Sequence, residues 1–395
     1  MANPLFFTSI LRVPTLHFPF SVFSVSSVVN PPCLCVLVSF ERNSCPMLRW
    51  ISGLFGWAAR TRVALYRRGL LPRHRLPSPV ISVGNLAVGG TGKTPLVALL
   101  ARMLLQEGFE PAVLSRGYKG GAERSGLLVS DGRQVLCKVR ECGDEPFLLA
   151  RQLRGIPLAV GRNRRRSASL IPPAQNLGKR IFILDDAFQH LRIRRDLDLL
   201  VLDATDPFAG GRPMPSGRLR EPLCAISRAD WILLTRSHLA GNLDKTQDQI
   251  RSLHSEAPLF SFHHAPTALI DVRSGRSRPV EDLAGSAAIA LAGIGKPHLF
   301  VRDLEQLGIR VRQEAFFPDH HWFTQQELDR LLNRSESIIT TEKDAVRLEG
   351  LRFDEGQVVA LRIEARPDAP EEFRRRLVEW AEQISRQGAK PQSSE

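Results

Sequence analysis

The sequence predicts an α/β fold: a parallel sheet with helices on both faces, followed by a second, smaller α/β domain. Short apolar runs recur between helical patterns at residues 80–83, 111–114, 157–160, 180–184, 198–203 and 231–235. Runs of this length with helices between them read as strands buried on both faces and joined by crossovers. The first run leads into a glycine-rich turn, Gly89-Gly90-Thr91-Gly92-Lys93-Thr94. An apolar helical pattern through Leu96, Val97, Leu99, Leu100, Met103 and Leu104 follows it. Strand, glycine turn, Lys-Thr and helix, in that order, give the sheet a P-loop NTPase-like character.

The chemistry of that turn is direct. Its glycines let successive backbone N–H groups converge on phosphate oxygens, and the helix N-terminus adds its dipole. Lys93 reaches the β/γ-phosphates of a nucleotide, and the Thr94 hydroxyl suits Mg²⁺. The strict pattern has a first glycine at position 87, which is Ala87 here. A turn that merely joins strand to helix is the plain alternative; the register of strand, GTGKT and helix favours nucleotide binding.

At 395 residues the chain is long enough for two domains, and 43% hydrophobic with 24% charged residues is ordinary for a soluble protein. A net charge of +13 is not ordinary and calls for an anionic partner. Arginine is spread along the chain and only two tyrosines are present, so a nucleic-acid stacking platform is not indicated. An anionic membrane surface or a phosphorylated ligand fits better. The six cysteines form no C-x-x-C pair, which supports neither a disulfide framework nor a zinc site.

Residues 1–46 differ from the rest, with Arg12, Glu41 and Arg42 as their only charges and prolines interrupting the apolar run. Pro31-Pro32 would break a spanning helix, so an atypical extension upstream of a true start at Met47 is the favoured reading. Residues 47–68 mix Trp50, Ile51, Leu54, Phe55, Trp57 and Leu65 with arginines only. A helix on an anionic bilayer and a helix packed on the core fit this composition equally.

Further along, Gly143-Asp144-Glu145-Pro146 precedes a helical run at 147–153, and Arg162, Arg164, Arg165 and Arg166 read first as a solvated helix face. The strand at 180–184 ends in Asp185-Asp186. An acidic residue at that place, downstream of a phosphate loop, is where a Mg²⁺-binding carboxylate belongs; a turn or cap is the alternative. The character changes beyond Ser237. Segments 267–272 and 357–363 look like β connections between domains, enclosing a strand at 287–292, Gly293-Ile294-Gly295-Lys296-Pro297, a helix through Leu307, and a strand-like 337–340. The expected division is 1–46, a P-loop domain at 47–262, a smaller domain at 263–385, and a polar tail from 386.

The ordered set VGNLAVGGTGKTPLV, LSRGYKG, GDEP, LDDAFQHLRIRRDLDLLVLD, PSGRLREPL, GIGKP, FPDHHWFT and TTEKDAVRL resembles the tetraacyldisaccharide 4′-kinase family, from Met47 to about Ile363. The resemblance implies ATP- and Mg²⁺-dependent phosphorylation of the 4′-hydroxyl of a tetraacylated disaccharide 1-phosphate, the lipid A precursor. It also implies work at the cytoplasmic face of a bacterial inner membrane. Lys93 and Thr94 match the family's loop residues, and Asp185 and Asp186 its metal-binding pair. Asp144 matches the carboxylate that activates the acceptor hydroxyl, and His320 the histidine that pairs with it from the smaller domain. Their position on different domains suggests that closure completes the site.

Arg116, Glu145, Gln189, His190, Arg220 and Glu221 are further candidates for substrate contact or support. Ala187 replaces the family's usual glycine, Ser216 and Arg218 modify the PAGxLREP pattern, and Ala87 agrees with the family. For each candidate a plain reading stands beside the functional one: Asp144 as a helix cap, His320 as a packed histidine beside His321, Arg116 as partner of an acid, Lys343 and Asp344 as a local ion pair. Rival functions are a P-loop ATPase or GTPase switch and a nucleotide-binding membrane adaptor.

Overall fold

The computed structural model describes residues 46–176, 178–332 and 337–388. The expectations for the opening extension before Pro46 and for the tail beyond residue 388 fall outside them. Among the described residues the strands are β1 (Val80–Asn85), β2 (Glu110–Ser115), β3 (Leu127–Ser130), β4 (Leu158–Val160), β5 (Arg180–Asp185), β6 (Leu197–Asp203), β7 (Trp231–Thr235), β8 (Leu259–Asp271), β9 (Ser277–Arg278), β10 (Ala287–Ala292), β11 (Arg310–Phe316), β12 (Ser337–Thr341) and β13 (Val358–Pro367). They run in the order β11-β10-β12-β13-β8-β7-β6-β1-β5-β2-β4-β3, with β9 on β8.

In the first half, β1 pairs in parallel with both β5 and β6, and β2, β4 and β7 extend the parallel sheet. Only the edge strand β3 is antiparallel. Every residue of β1, β5, β6 and β7 is buried, as expected of strands covered on both faces. Successive side chains of β1 point to opposite faces: Ile81 and Val83 join one core and Val80 another. Helix Lys93–Gln106 covers the first of these with Leu96, Leu100 and Leu104, none of which is exposed. Each such burial stabilises by about 1.5–3 kcal/mol.

The second half repeats the pattern with β10, β11, β12 and β13 in parallel. Strand β8 links the two. Its first three residues pair in parallel with β7, and from Phe262 to Asp271 it runs antiparallel to β13. The segments read as connections are therefore one two-stranded ribbon. Strands β3 and β11 and helices Leu243–Leu253, Gln325–Leu332 and Pro370–Gly388 were not anticipated. β11 shows why: as an edge strand it reads RVRQEAF and buries little, so it contains no apolar run.

Helix Pro46–Arg67 leaves most of its apolar face uncovered by the rest of the chain. Ser52, Gly56 and Tyr66 are its buried residues, while Trp50, Leu54 and Trp57 are 81%, 65% and 61% exposed. Ser52 and Ser216 hydrogen-bond through their hydroxyls at 2.8 Å, and a side chain at Gly56 would meet Pro222 at 3.3 Å. Small residues thus dock the first half of the helix on the PSGRLREPL loop, and the face carrying Trp50, Leu54 and Trp57 points away from the core.

Gly84, next to last in β1, lies against Phe188. A Cβ there would sit 2.3 Å from the Phe188 backbone nitrogen, inside a part of the sheet with no room to yield. Gly84→Ala is expected to lower stability by about 1–3 kcal/mol or more, read as a drop in Tm; an unchanged Tm would contradict this packing.

Candidate active site

The parallel strands deliver their carboxyl ends to one edge, and the functional groups collect there. β1 ends at Asn85, whose Nδ2 donates to the Thr91 hydroxyl at 3.0 Å and to the Ala87 carbonyl at 2.7 Å. Thr235 Oγ1, at the end of β7, donates to the Thr91 carbonyl at 2.9 Å. Gly92 takes a left-handed conformation, and the helix begins at Lys93. The loop is thus tied down by its carbonyls and by Thr91. Thr94 lies in the first turn of the helix.

Asp185 closes β5, and Asp186 follows with φ 48°. Ala187, packed in the core, is not among the residues with positive φ, so its methyl sits in ordinary backbone. The Asp185 carboxylate accepts a hydrogen bond from Ser115 Oγ at 2.7 Å. Burial, reinforced by the Glu145 and Asp186 charges, pushes its carboxyl up to about 6. Asp186 behaves oppositely. Burial opposes its charge, but Lys93 at 3.3 Å and Arg220 at 2.9 Å outweigh that and hold it far below the usual range. Arg220 reaches it because the PSGRLREPL segment pairs along the phosphate loop, with Val88 N–H donating to the Arg218 carbonyl and Arg220 N–H to the Leu86 carbonyl. Thr94, Asp185 and Asp186 offer hard oxygen donors only, which fits Mg²⁺.

Asp144 is the first residue of helix Asp144–Gln152, preceded by Gly143 at φ 91°. A Cβ on Gly143 would lie 2.9 Å from the Tyr118 carbonyl oxygen, so the LSRGYKG turn and the GDEP turn fit together only with glycine there. The buried Asp144 carboxylate sits in the favourable first turn of its helix. His320, at φ 65°, places Nδ1 2.9 Å from Asp144 Oδ2. Burial works against the charge of Asp144, but the His320 hydrogen bond and the Lys343, His320 and Arg347 charges hold its pKa below the usual carboxylate value.

Two residues from TTEKDAVRL support this pair. Lys343 bonds Glu145 at 2.8 Å and Asp319 at 3.3 Å, rather than Asp344. Arg347 is fully buried and donates to the carbonyls of His321 and Gly293 at 3.0 and 2.9 Å, with Nε 3.6 Å from Asp144. Asp344 takes the Gly293 N–H at 3.0 Å.

The remaining candidates divide. Gln189 Nε2 donates to the Asn85 carbonyl at 2.8 Å, and the cleft-lining His190 is pushed down to about 3 by burial and the surrounding arginines, hence neutral. Arg116 pairs with Glu123 at 2.7 Å. Glu221 is buried in an ion pair with Arg228 and does not line the cleft. Of the arginine cluster, Arg162, Arg165 and Arg166 are exposed, but Arg164 is buried with NH2 on the Asp185 carbonyl at 3.0 Å. Burial, partly offset by Asp185 and Asp186, lowers it to about 10. Sequence reasoning also passed over Asp203, which closes β6 and takes Arg236 and Lys296, each at 2.5 Å. Its place at a strand end beside β1, and Lys296 within GIGKP, were the available signals.

Most of these groups line or back one cleft of about 1,310 Å³. It brings together the phosphate loop, Asp185, Asp186, Asp144, His320, Arg220, Gln189 and His190.

The chain is similar to known proteins in sequence and in fold. The family model described as Tetraacyldisaccharide-1-P 4′-kinase matches residues 45–382. The chain is 44% identical over 321 residues to the tetraacyldisaccharide 4′-kinase of Anaeromyxobacter sp. (strain Fw109-5), covering 79% of this chain and 85% of that one. To the tetraacyldisaccharide 4′-kinase of Pelobacter propionicus it is 40% identical over 326 residues, covering 81% and 88%. Among solved structures, LpxK from Aquifex aeolicus, crystallised in complex with ATP, superposes with a TM-score of 0.67 at 32% identity, over 85% of this chain and 98% of that one.

Proposed function

The chain belongs to the tetraacyldisaccharide-1-P 4′-kinase family, and from that premise we propose how its own residues carry ATP-dependent phosphorylation of the 4′-hydroxyl of a tetraacyldisaccharide 1-phosphate. Asp144 accepts the proton of the 4′-hydroxyl as that oxygen bonds to the γ-phosphorus. The bond from the γ-phosphorus to the bridging oxygen breaks, and ADP leaves. The observation that carries this assignment is the Asp144–His320 contact at 2.9 Å, between residues 176 apart, in the cleft that also holds the phosphate loop.

His320 orients the Asp144 carboxylate and, with Arg347 and Lys343, keeps it ionised despite burial. The backbone of Gly89, Gly90, Thr91 and Gly92 cradles the phosphates, and Lys93 neutralises charge on the transferring group. Thr94, Asp185 and Asp186 would hold Mg²⁺, which when bound screens the phosphate oxygens. In this structure His320 and Asp144 already touch, so the dyad needs no further closure to form.

Incubation with γ-labelled ATP, Mg²⁺ and the lipid disaccharide tests the reading. Label on the lipid supports it; free phosphate released regardless of lipid points to a nucleotide switch, and no turnover to an adaptor.

The same reading includes the membrane. Among the described residues no helix is long and apolar enough to cross a bilayer. Helix Pro46–Arg67 instead presents Trp50, Leu54 and Trp57 outward, flanked by Arg49 and Arg60. Such a face suits the headgroup region of an anionic inner membrane on its cytoplasmic side. Trp50→Glu with Trp57→Glu is expected to cut co-sedimentation with phosphatidylglycerol vesicles at least about tenfold, with Tm unchanged. Equal sedimentation would exclude this helix as the contact.

A further inference from the structure

We propose that Arg347 is a positioning residue for the transfer: locked by Asp344, its guanidinium clamps the backbone on both sides of His320 and so fixes the imidazole against Asp144. The assignment rests on the reading above, with Asp144 as the base and His320 as its partner. It goes beyond the charge of Arg347, which any cation at that place would supply.

His320 needs something to hold it. Its backbone is left-handed at φ 65°, a conformation that costs energy in a residue with a side chain and persists only where the surroundings impose it. Arg347 does so from two directions. NH1 donates to the His321 carbonyl at 3.0 Å and NH2 to the Gly293 carbonyl at 2.9 Å. That same Gly293 carbonyl accepts the His320 N–H at 3.2 Å. One rigid, planar fork therefore holds both the residue after His320 and the group that anchors His320 itself. The far side of the turn is fixed as well: His321 stacks on Phe317, with ring centroids 4.7 Å apart, and meets Glu327 at 3.1 Å.

The fork is itself aimed. Thr341 caps the short helix Glu342–Ala345, and its hydroxyl donates to Asp344 Oδ2 at 2.6 Å. Asp344 Oδ1 then takes the Gly293 N–H at 3.0 Å together with Arg347 NH2. A Cβ on Gly293 would stand 3.1 Å from Asp344 Oδ1 and 3.5 Å from Arg347 NH1, so the first glycine of GIGKP leaves the room that the clamp occupies. The Asp344 and Arg347 side chains are 0% and 1% exposed. An ion pair buried this deep is a poor source of stability beside a well-packed apolar pair; what it supplies is a fixed direction. That direction runs past Asp144, whose Oδ2 lies 3.6 Å from Arg347 Nε.

A pH profile of lipid phosphorylation by the full-length protein separates positioning from bracing. The groups facing Asp144 are His320, Lys343 and Arg347, with Glu145 and Asp319 held by Lys343. Arg347→Lys keeps every one of these charges but cannot span two carbonyls. With His320 released, the hydrogen bond that opposes the burial of Asp144 weakens. The acid limb of kcat/KM should then move to higher pH and kcat fall by up to about a hundredfold, while KM for ATP stays near the wild-type value. Added to His320→Ala, Arg347→Lys should cost far less than it does alone, because the two act through one contact. Gly293→Ala, at a position without positive φ, retains the ion pair and displaces the clamp only slightly, so it should shift the same limb by less. If Arg347→Lys does not fold at the assay temperature, Gly293→Ala decides. A limb that stays in place, wild-type kcat, or an undiminished loss on top of His320→Ala would reduce Arg347 to a brace of the fold. Failure of the underlying reading looks different: Asp144→Ala would then still label the lipid.

Discussion

Asp144→Ala lowers transfer of phosphate to the lipid by about 10²–10⁴-fold, the range for loss of a positioned general base, while ATP binding stays within a few-fold of wild type. The expectation follows from where Asp144 sits. Its carboxylate touches His320 and approaches Arg347, whereas the phosphate loop and the Asp185-Asp186 pair are organised by other residues. Transfer to lipid at the wild-type rate would refute the base assignment. The pH dependence follows from the same contacts. Because the folded-state pKa of Asp144 is depressed, the carboxylate is the populated form at neutral pH and takes its proton only below the ordinary carboxylate value. The acid limb of kcat/KM that belongs to this group therefore lies below the ordinary carboxylate range. His320→Ala removes the hydrogen bond that opposes burial, so that limb should move to higher pH. A limb that stays in place would show that His320 does not tune Asp144.

Lys93→Ala is the second large effect. Lys93 lies at the first residue of its helix and is 3.3 Å from Asp186, so its ammonium already occupies the phosphate end of the cleft. Removing it takes away a charge that faces the γ-phosphate in the transition state, for which a loss of about 10²–10³-fold or more in kcat is expected. ATP affinity falls as well, which distinguishes this variant from Asp144→Ala. Equal ATP affinity in Lys93→Ala and wild type, measured by direct binding, would remove Lys93 from the phosphate site.

How far the sequence carries depends on the kind of signal each element leaves. The central strands are legible because a strand covered on both faces must be apolar throughout; the expected 231–235 and 287–292 have the bounds of β7 and β10. Edge strand β11 must stay polar, and so it leaves no such run. In the candidate site, GTGKT and Asp185-Asp186 follow strands in a recognisable order. Asp144 and His320 do not; from local pattern Asp144 is a helix start, and only the family resemblance pairs it with a histidine 176 residues away. Arg164 looks like its exposed neighbours Arg165 and Arg166 because burial depends on which helix face meets β2 and β4, a tertiary fact. Lys343 was paired with its sequence neighbour, whereas its partners Glu145 and Asp319 come from distant segments.

Strand β8 joins the two halves of the sheet, and this limits how the gene can be divided. A cut anywhere from residue 259 to 271 splits one hydrogen-bonded rod and strands an apolar edge on each piece. A cut in the exposed turn at Gly241, ahead of helix Leu243–Leu253, leaves the rod whole on the later fragment. The earlier fragment then gives up the three-residue pairing of β7 with 259–261 and the packing of Ile250, Phe262 and Phe373 on its cores, all of which the later fragment can restore. Two-piece complementation should therefore succeed from that turn and fail from within the rod.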